Sequence, residues 1–171
     1  MRKALEPYIK LAPFVGIGLV VVALAVVWIL YMQRGAHMEM EGSIQMVRTL
    51  ALDENSTAVV IDFRLRNPSD YPFVVRQTEV TLIDPSGKEL KGQDVAEVDA
   101  KQLFQYYPAL GQKYNDSLLA RTRIDAGKSH DAMLAERFEL PEKLVQQRRS
   151  LKIRVEEVDG PVAELTERRR P

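Results

Sequence analysis

The chain has no cysteine among its 171 residues. Disulfides, thiol nucleophiles, zinc ribbons and iron–sulfur ligation are therefore excluded together. Histidine is nearly as scarce: with only His37 and His130, this chain alone cannot build a multi-histidine metal centre or a histidine relay. There is no charge of one sign in excess either, since 24 basic side chains meet 24 acidic ones. A near-neutral chain lacks the basic surface that displaces phosphate counterions, so nucleic acid is excluded as a partner. Nine Gly and nine Pro exclude collagen-like and low-complexity chains. No G-x-S-x-G stretch and no Gly-rich loop ahead of a helix is present, and no repeat of 20 to 50 residues recurs. The expectation is a protein without enzymatic activity, catalytic residue, metal or cofactor.

The neutral total conceals two unlike parts. Residues 1–33 carry Arg2, Lys3 and Lys10 against Glu6, a net +2, which leaves −2 for the rest. Leu11 to Gln33 holds no charged residue. As a helix those 23 residues reach roughly 34 Å, enough for a hydrocarbon core of about 30 Å. Val20 to Val27 is apolar on every face, where an amphipathic helix would show a polar stripe. Pro13 falls in the first turn, and Trp28 and Tyr31 lie near the far end, at interface depth. Three basic residues precede the segment and only Arg34 follows closely, which places the amino end in the cytoplasm. Ala23-Leu24-Ala25 mimics a signal-peptidase site, but the apolar run exceeds a signal peptide's core and continues past it. The expected organisation is a cytoplasmic stretch 1–10, a transmembrane helix 11–33, a linker 34–41, a β-sandwich 42–158 and a charged, fraying tail 159–171.

Period-two alternation dominates the body. In Thr57 to Arg66, Val59, Ile61, Phe63 and Leu65 share one face, and Asp62, Arg64 and Arg66 share the other, as in a half-buried strand facing water. Leu151 to Glu156 repeats the pattern. Ile44 to Leu52, Phe73 to Ile83, Leu118 to Ile124 and Ala132 to Leu140 are noisier strands: Arg48 interrupts the first, and the second changes phase near Gln77, as a bulge requires. Asn67-Pro68-Ser69-Asp70, Asp84-Pro85-Ser86-Gly87 and Asp125-Ala126-Gly127-Lys128 supply turns. Short helices are expected at Val98 to Tyr107, stopped by Pro108, and at Pro141 to Gln147. The fold class is mainly β: an N-terminal transmembrane helix and then an antiparallel immunoglobulin-like sandwich with one or two short inserted helices.

Val59 to Leu90, above all Ile61-Asp62-Phe63-Arg64-Leu65-Arg66-Asn67-Pro68-Ser69-Asp70-Tyr71-Pro72-Phe73, resembles the strand–Asn-Pro-Ser–strand unit of WHy domains in late-embryogenesis-abundant proteins. It is similar, too, to membrane-anchored bacterial domains of unknown function with an immunoglobulin-like fold. The resemblance implies a small β-sandwich outside the membrane, a role in stress or envelope protection, and no catalytic residues. The aromatic helix at Val98 to Tyr107 departs from the short WHy pattern.

Few residues offer chemistry. Ser129 and His130 are neighbours, which on a strand face opposite ways, so His130 reads as a solvated hairpin residue. Asp94, Glu97 and Asp99 do not follow the alternation of an EF-hand and read as solvated acids. His37, Met38, Met40 and Met46 offer imidazole and thioethers that suit Cu(I), or simply form a linker. The remaining feature is Leu103 to Leu110 with Tyr114. This stretch of twelve positions contains Phe104, Tyr106, Tyr107 and Tyr114, four of the chain's twelve aromatic residues. Phe104, Tyr106 and Tyr107 either cover an open end of the sandwich or form a surface for a partner. The functional expectation is a membrane-tethered, extracytoplasmic interaction module binding an envelope or membrane protein. The alternative is ligand handling, with a lipid at the sandwich mouth or Cu(I) at the linker.

Overall fold

The computed structural model describes residues 18–28, 40–158, 160 and 162–167. Two compact units result, one within residues 1–38 and one from residue 39 onward. In the first, residues 18–28 form a helix (α1) with exposed side chains. Among the described residues no helix is long and apolar enough to cross a membrane. The rest of the expected span, 11–17 and 29–33, lies outside the described residues, as do residues 1–10, His37 and Met38.

The second unit is a mainly antiparallel β-sandwich. One sheet contains β1 (Glu41–Ala51), β2 (Thr57–Arg66), β5 (Gln93–Asp94) and β7 (Ser129–Phe138), in the order β1-β2-β7-β5. The other contains β3 (Phe73–Ile83), β4 (Glu89–Lys91), β8 (Ser150–Glu157) and β9 (Val162–Thr166), in the order β4-β3-β8-β9, with β6 (Arg123–Ile124) also paired to β3. The inward residues of the strongest alternations meet between the sheets: Val59, Ile61, Phe63 and Leu65 from β2 face Leu151, Ile153 and Val155 from β8 in one core. The expected phase change in β3 is present as a register shift between Val75 and Gln77. The Asn-Pro-Ser turn is held by a buried amide: Asn67 Nδ2 donates to the carbonyls of Tyr71 (2.7 Å) and Ile124 (3.1 Å), and Asn67 Oδ1 accepts from Ser69. At the next turn Gly87 takes φ of 95°, a left-handed value that suits glycine. The helices fall at α2 (Glu97–Tyr106) and α3 (Glu142–Gln146).

Four expectations require correction. β2 is not half-exposed: Thr57 to Phe63 is buried on both faces, Asp62 included, because a further layer covers the outer face of its sheet. The linker ends sooner than expected, since Met40 is buried in the core and Glu41 opens β1. Leu118 to Ile124 is mostly loop, contributing only β6, with Leu118 reaching back to bond Met133. The expected fraying tail 159–171 contains a strand. Val162–Thr166 pairs with β8, burying Ala163 and Leu165, and Glu167 closes the segment with a two-point ion pair to buried Arg148. Alternating Ala163 and Leu165 supply the apolar face, and the free edge of β8 supplies backbone partners.

The position of β9 generates a stability contrast. Leu165→Ala should cost about 2–5 kcal/mol, as for other truncated core side chains, while Glu164→Ala on the exposed face should stay within about 0.5 kcal/mol. Urea unfolding of the two variants measures both, and equal small effects would show that β9 is not docked.

Candidate functional site

The outer face of the first sheet carries more apolar residues than a water-facing surface needs. Val60 of β2 and Met133 and Ala135 of β7 form a second buried cluster with Ala100 and Leu110 of the segment that follows β5. α2 lies on this cluster through Ala100, Leu103 and Phe104, spaced three and four apart on one face. Fully buried Ala100 lets the helix approach closely. Pro108 then opens a single 3-10 turn, Pro108–Leu110, which turns Leu110 into the same cluster. The insertion covers the outer face of a sheet, and not an open end of the sandwich as the sequence suggested.

One side chain ties this layer down. Arg48 of β1 donates through Nη1 to the carbonyls of Leu110 and Gln112, both at 2.7 Å, and through Nη2 to Asp62 Oδ2 at 2.5 Å. Asn115 Nδ2 donates to the other oxygen of Asp62 at 2.9 Å. The guanidinium carbon lies 4.9 Å from the centre of the Phe104 ring and 5.5 Å from that of Tyr114, distances at which a cation gains from ring quadrupoles. Arg48, which seemed to interrupt its strand, thus holds β2, α2 and the following loop at one point. A lysine would lack the planar fork that serves three acceptors at once.

The root of α2 is fixed separately. Glu97, in the first helical turn, pairs with Lys101 at 3.2 Å and Lys113 at 3.0 Å, and accepts from the Ser117 backbone N–H at 3.1 Å. Burial opposes its ionisation, but hydrogen bonds from Ser117, Lys113 and Lys101 outweigh that and hold its carboxyl at about 2. Lys113 shares its charge with Asp116 at 2.8 Å. Glu97 is thereby committed to the protein. Among the described residues no group of three or more His, Cys, Asp or Glu side chains could hold a metal ion.

The structure divides the three residues named for a partner surface. Phe104 is partly buried against the sheet, whereas Tyr106 is 74% exposed and Tyr107 41%. Tyr114 joins them at 62%. Of the Met and His set, Met40 packs in the core and Met46 is exposed, so Met40 is withdrawn from any linker site. His130 lies in β7 opposite Leu65, partly buried, beside Asp131, which binds Arg64 through both oxygens at 2.6 and 2.7 Å. Sequence reasoning missed Arg48 and Asp62. The available signal was the pair of continuous apolar runs, Ala58 to Ile61 and Ala132 to Ala135, which imply burial on both faces.

No family model matches the chain, and no curated protein matches it. Solved structures similar to it include the following two. One, an uncharacterised β-sandwich protein from Clostridium difficile 630, is 9% identical, with 77% of this chain and 87% of that one covered at a TM-score of 0.40. The other, a protein from Archaeoglobus fulgidus, is 12% identical, with 72% and 94% covered at a TM-score of 0.35.

Two measurements follow from this geometry. Asp62→Ala should cost up to about 3 kcal/mol because it strands a largely buried guanidinium, and the double variant Arg48→Met, Asp62→Leu should recover much of that loss. Additive losses in a double-mutant cycle would contradict the clamp. The acid limb of stability should depend on Glu97: its carboxyl sits below its ordinary 4.5, so its contribution is complete above that value and disappears as pH falls through about 2. Glu97→Gln should flatten the unfolding midpoint over that interval.

Proposed function

We propose that the protein is a non-enzymatic interaction module in which Tyr106, Tyr107 and Tyr114 form the contact surface for a protein partner of the cell envelope. The observation that carries this reading is the exposure of Tyr106 and Tyr114 beside a backbone held by the partly buried Arg48. Rigid tyrosines bury large amphipathic area with little further loss of freedom, and tyrosine is enriched where interfaces concentrate their binding energy. Fixing their backbone in advance lowers the ordering cost of association.

The sandwich is read here as immunoglobulin-like and related to the WHy type. The support is its two antiparallel sheets and the Asn67 turn between β2 and β3. We read residues 11–33 as a membrane anchor with the amino end in the cytoplasm, supported by 23 uncharged residues and the basic flank before them. The domain then stands outside the cytoplasmic membrane, tethered beside other envelope proteins.

Two experiments test the halves separately. Tyr106→Ala should leave the melting temperature nearly unchanged, Tyr114→Ala should lower it slightly by removing a ring from Arg48, and each should weaken partner capture from native membranes by about 2 kcal/mol, roughly thirtyfold in affinity. Phe104→Ala, which faces the sheet, should instead destabilise the domain. Unchanged capture by both tyrosine variants would sink the surface. For topology, a reporter active only outside the cytoplasm, fused after Pro171, should be active. Activity of a cytosolic reporter at that site would reverse the orientation.

A further inference from the structure

Glu136 sits where the pattern of its strand calls for an apolar residue. In β7 it alternates with Ala132, Leu134 and Phe138 of the central core, so it points between the sheets. It is 2% exposed, and no hydrogen bond or ion pair reaches it from any described residue. Its surroundings are closely fitted. On one side β2 presents Val59, and on the other β5 presents Asp94 directly opposite. Above it the chain crosses from β4 to β5 at Gly92, where a side-chain carbon would stand 2.6 Å from Glu136 Oε2 and 3.0 Å from Phe138 Cζ. A side chain at position 92 would also stand 3.0 Å from Glu136 Cβ, so the bare backbone of glycine leaves room for Glu136 and Phe138. Among the described residues, Asp94 is the charged group that acts on Glu136, and its sign is the same.

The cover over this carboxyl is the least supported part of its sheet. β5 pairs with β7 at two positions only, Gln93 with Arg137 and Asp94 with Glu136, whereas β2 pairs with β7 along ten. Gly92 N–H to the Val80 carbonyl at 2.8 Å and Val95 N–H to the Ala135 carbonyl at 2.9 Å complete its attachment. A carboxylate formed at Glu136 has to regain water, and the path of least cost runs through the edge strand. Immediately beyond Val95 and Ala96 the chain enters α2, the helix that carries Tyr106.

We propose that Glu136 is a pH-operated latch: its neutral carboxylic acid lets β5 close over the core and steady the root of α2, and loss of the proton releases β5. Its consequence for binding rests on the reading of α2 as the partner-binding helix, while its mechanism does not. Burial, with the like charge of Asp94 adding to it, raises the acid from its ordinary 4.5 to about 8. The closed form therefore keeps a proton that the open form loses between those values. Closure is strongest at or below about 4.5 and weakens by up to about tenfold per pH unit until about 8.

Hydrogen exchange on the full-length chain in detergent micelles at pH 5.5, 7 and 8.5, corrected for intrinsic rates, tests the latch. Protection of the β5 and Val95 amides should fall tenfold or more from the lowest pH to the highest while the amides of β2 keep theirs. Glu136→Gln, which cannot ionise, should abolish the fall. Asp94→Asn, at an exposed position, should shift it to lower pH because the like charge is gone. A flat wild-type profile, the same fall in Glu136→Gln, an unmoved midpoint in Asp94→Asn, or simultaneous loss in β2 would each overturn the proposal. No partner enters this experiment, so its failure leaves the tyrosine surface standing, and failed capture by that surface leaves the latch standing.

Discussion

The contact between Arg48 and Asp62 decides how many layers this domain has. Both groups lie on the outer face of the first sheet, with side chains only 13% and 5% exposed. Two ions withdrawn from water are costly unless each finds further partners. Arg48 finds them in the carbonyls of Leu110 and Gln112, and Asp62 in Asn115, so the pair is satisfied only when the inserted segment is in place. The requirement runs the other way as well, because removing the insertion would bare Val60 and Met133 to water. Polar satisfaction and apolar burial therefore demand the same arrangement. Within this contact Arg48 Nε is buried with no hydrogen-bond partner among the described residues. A hydrocarbon core of equal volume could be as stable, but it would not fix where the loop carbonyls sit.

Because the first sheet is covered on both faces, β2 behaves there like a strand of a parallel α/β sheet, with uninterrupted burial from Thr57 to Phe63. The second sheet keeps the alternation of a conventional sandwich, visible in β8 and β9. This asymmetry makes the two outward surfaces chemically unlike. The covered sheet presents a helix and a loop with projecting tyrosines, while the outward face of the other sheet carries charged pairs such as Lys91 with Glu79.

Two carboxylates at the root of the insertion show how environment sets opposite behaviour. Glu97 and Glu136 begin with the same chemistry and both lose water on folding. Glu97 gains two ammonium partners and a backbone N–H, and burial is overcome. Glu136 gains none of these and faces Asp94, so burial prevails. The same short connection, from β5 into α2, is thus held by a charge at one end and by the absence of a charge at the other.

The sequence by itself determined the elements whose cause is local. Alternation marks β2 and β8, Asn-Pro-Ser and Pro-Ser-Gly mark the turns, Pro108 stops α2, and the change of phase near Gln77 is the bulge in β3. The concentration of aromatics around Phe104 likewise pointed to the segment that the structure places on the outer sheet. What only the tertiary structure decided is the covering of each face. A polar residue opposite a hydrophobic stripe reads as solvent-facing until a second surface arrives, so Asp62 passed for a surface acid and Arg48 for an irregularity. Tyr106 and Phe104, two residues apart, could not be told apart by type, because which side of a helix meets a sheet depends on contacts from distant strands. Val162–Thr166 looked like a tail for the same reason: five residues of weak alternation acquire a structure only from the free edge of β8. Local pattern fixes the conformation of a segment, but burial is a property of pairs of surfaces, and the second surface is written elsewhere in the chain.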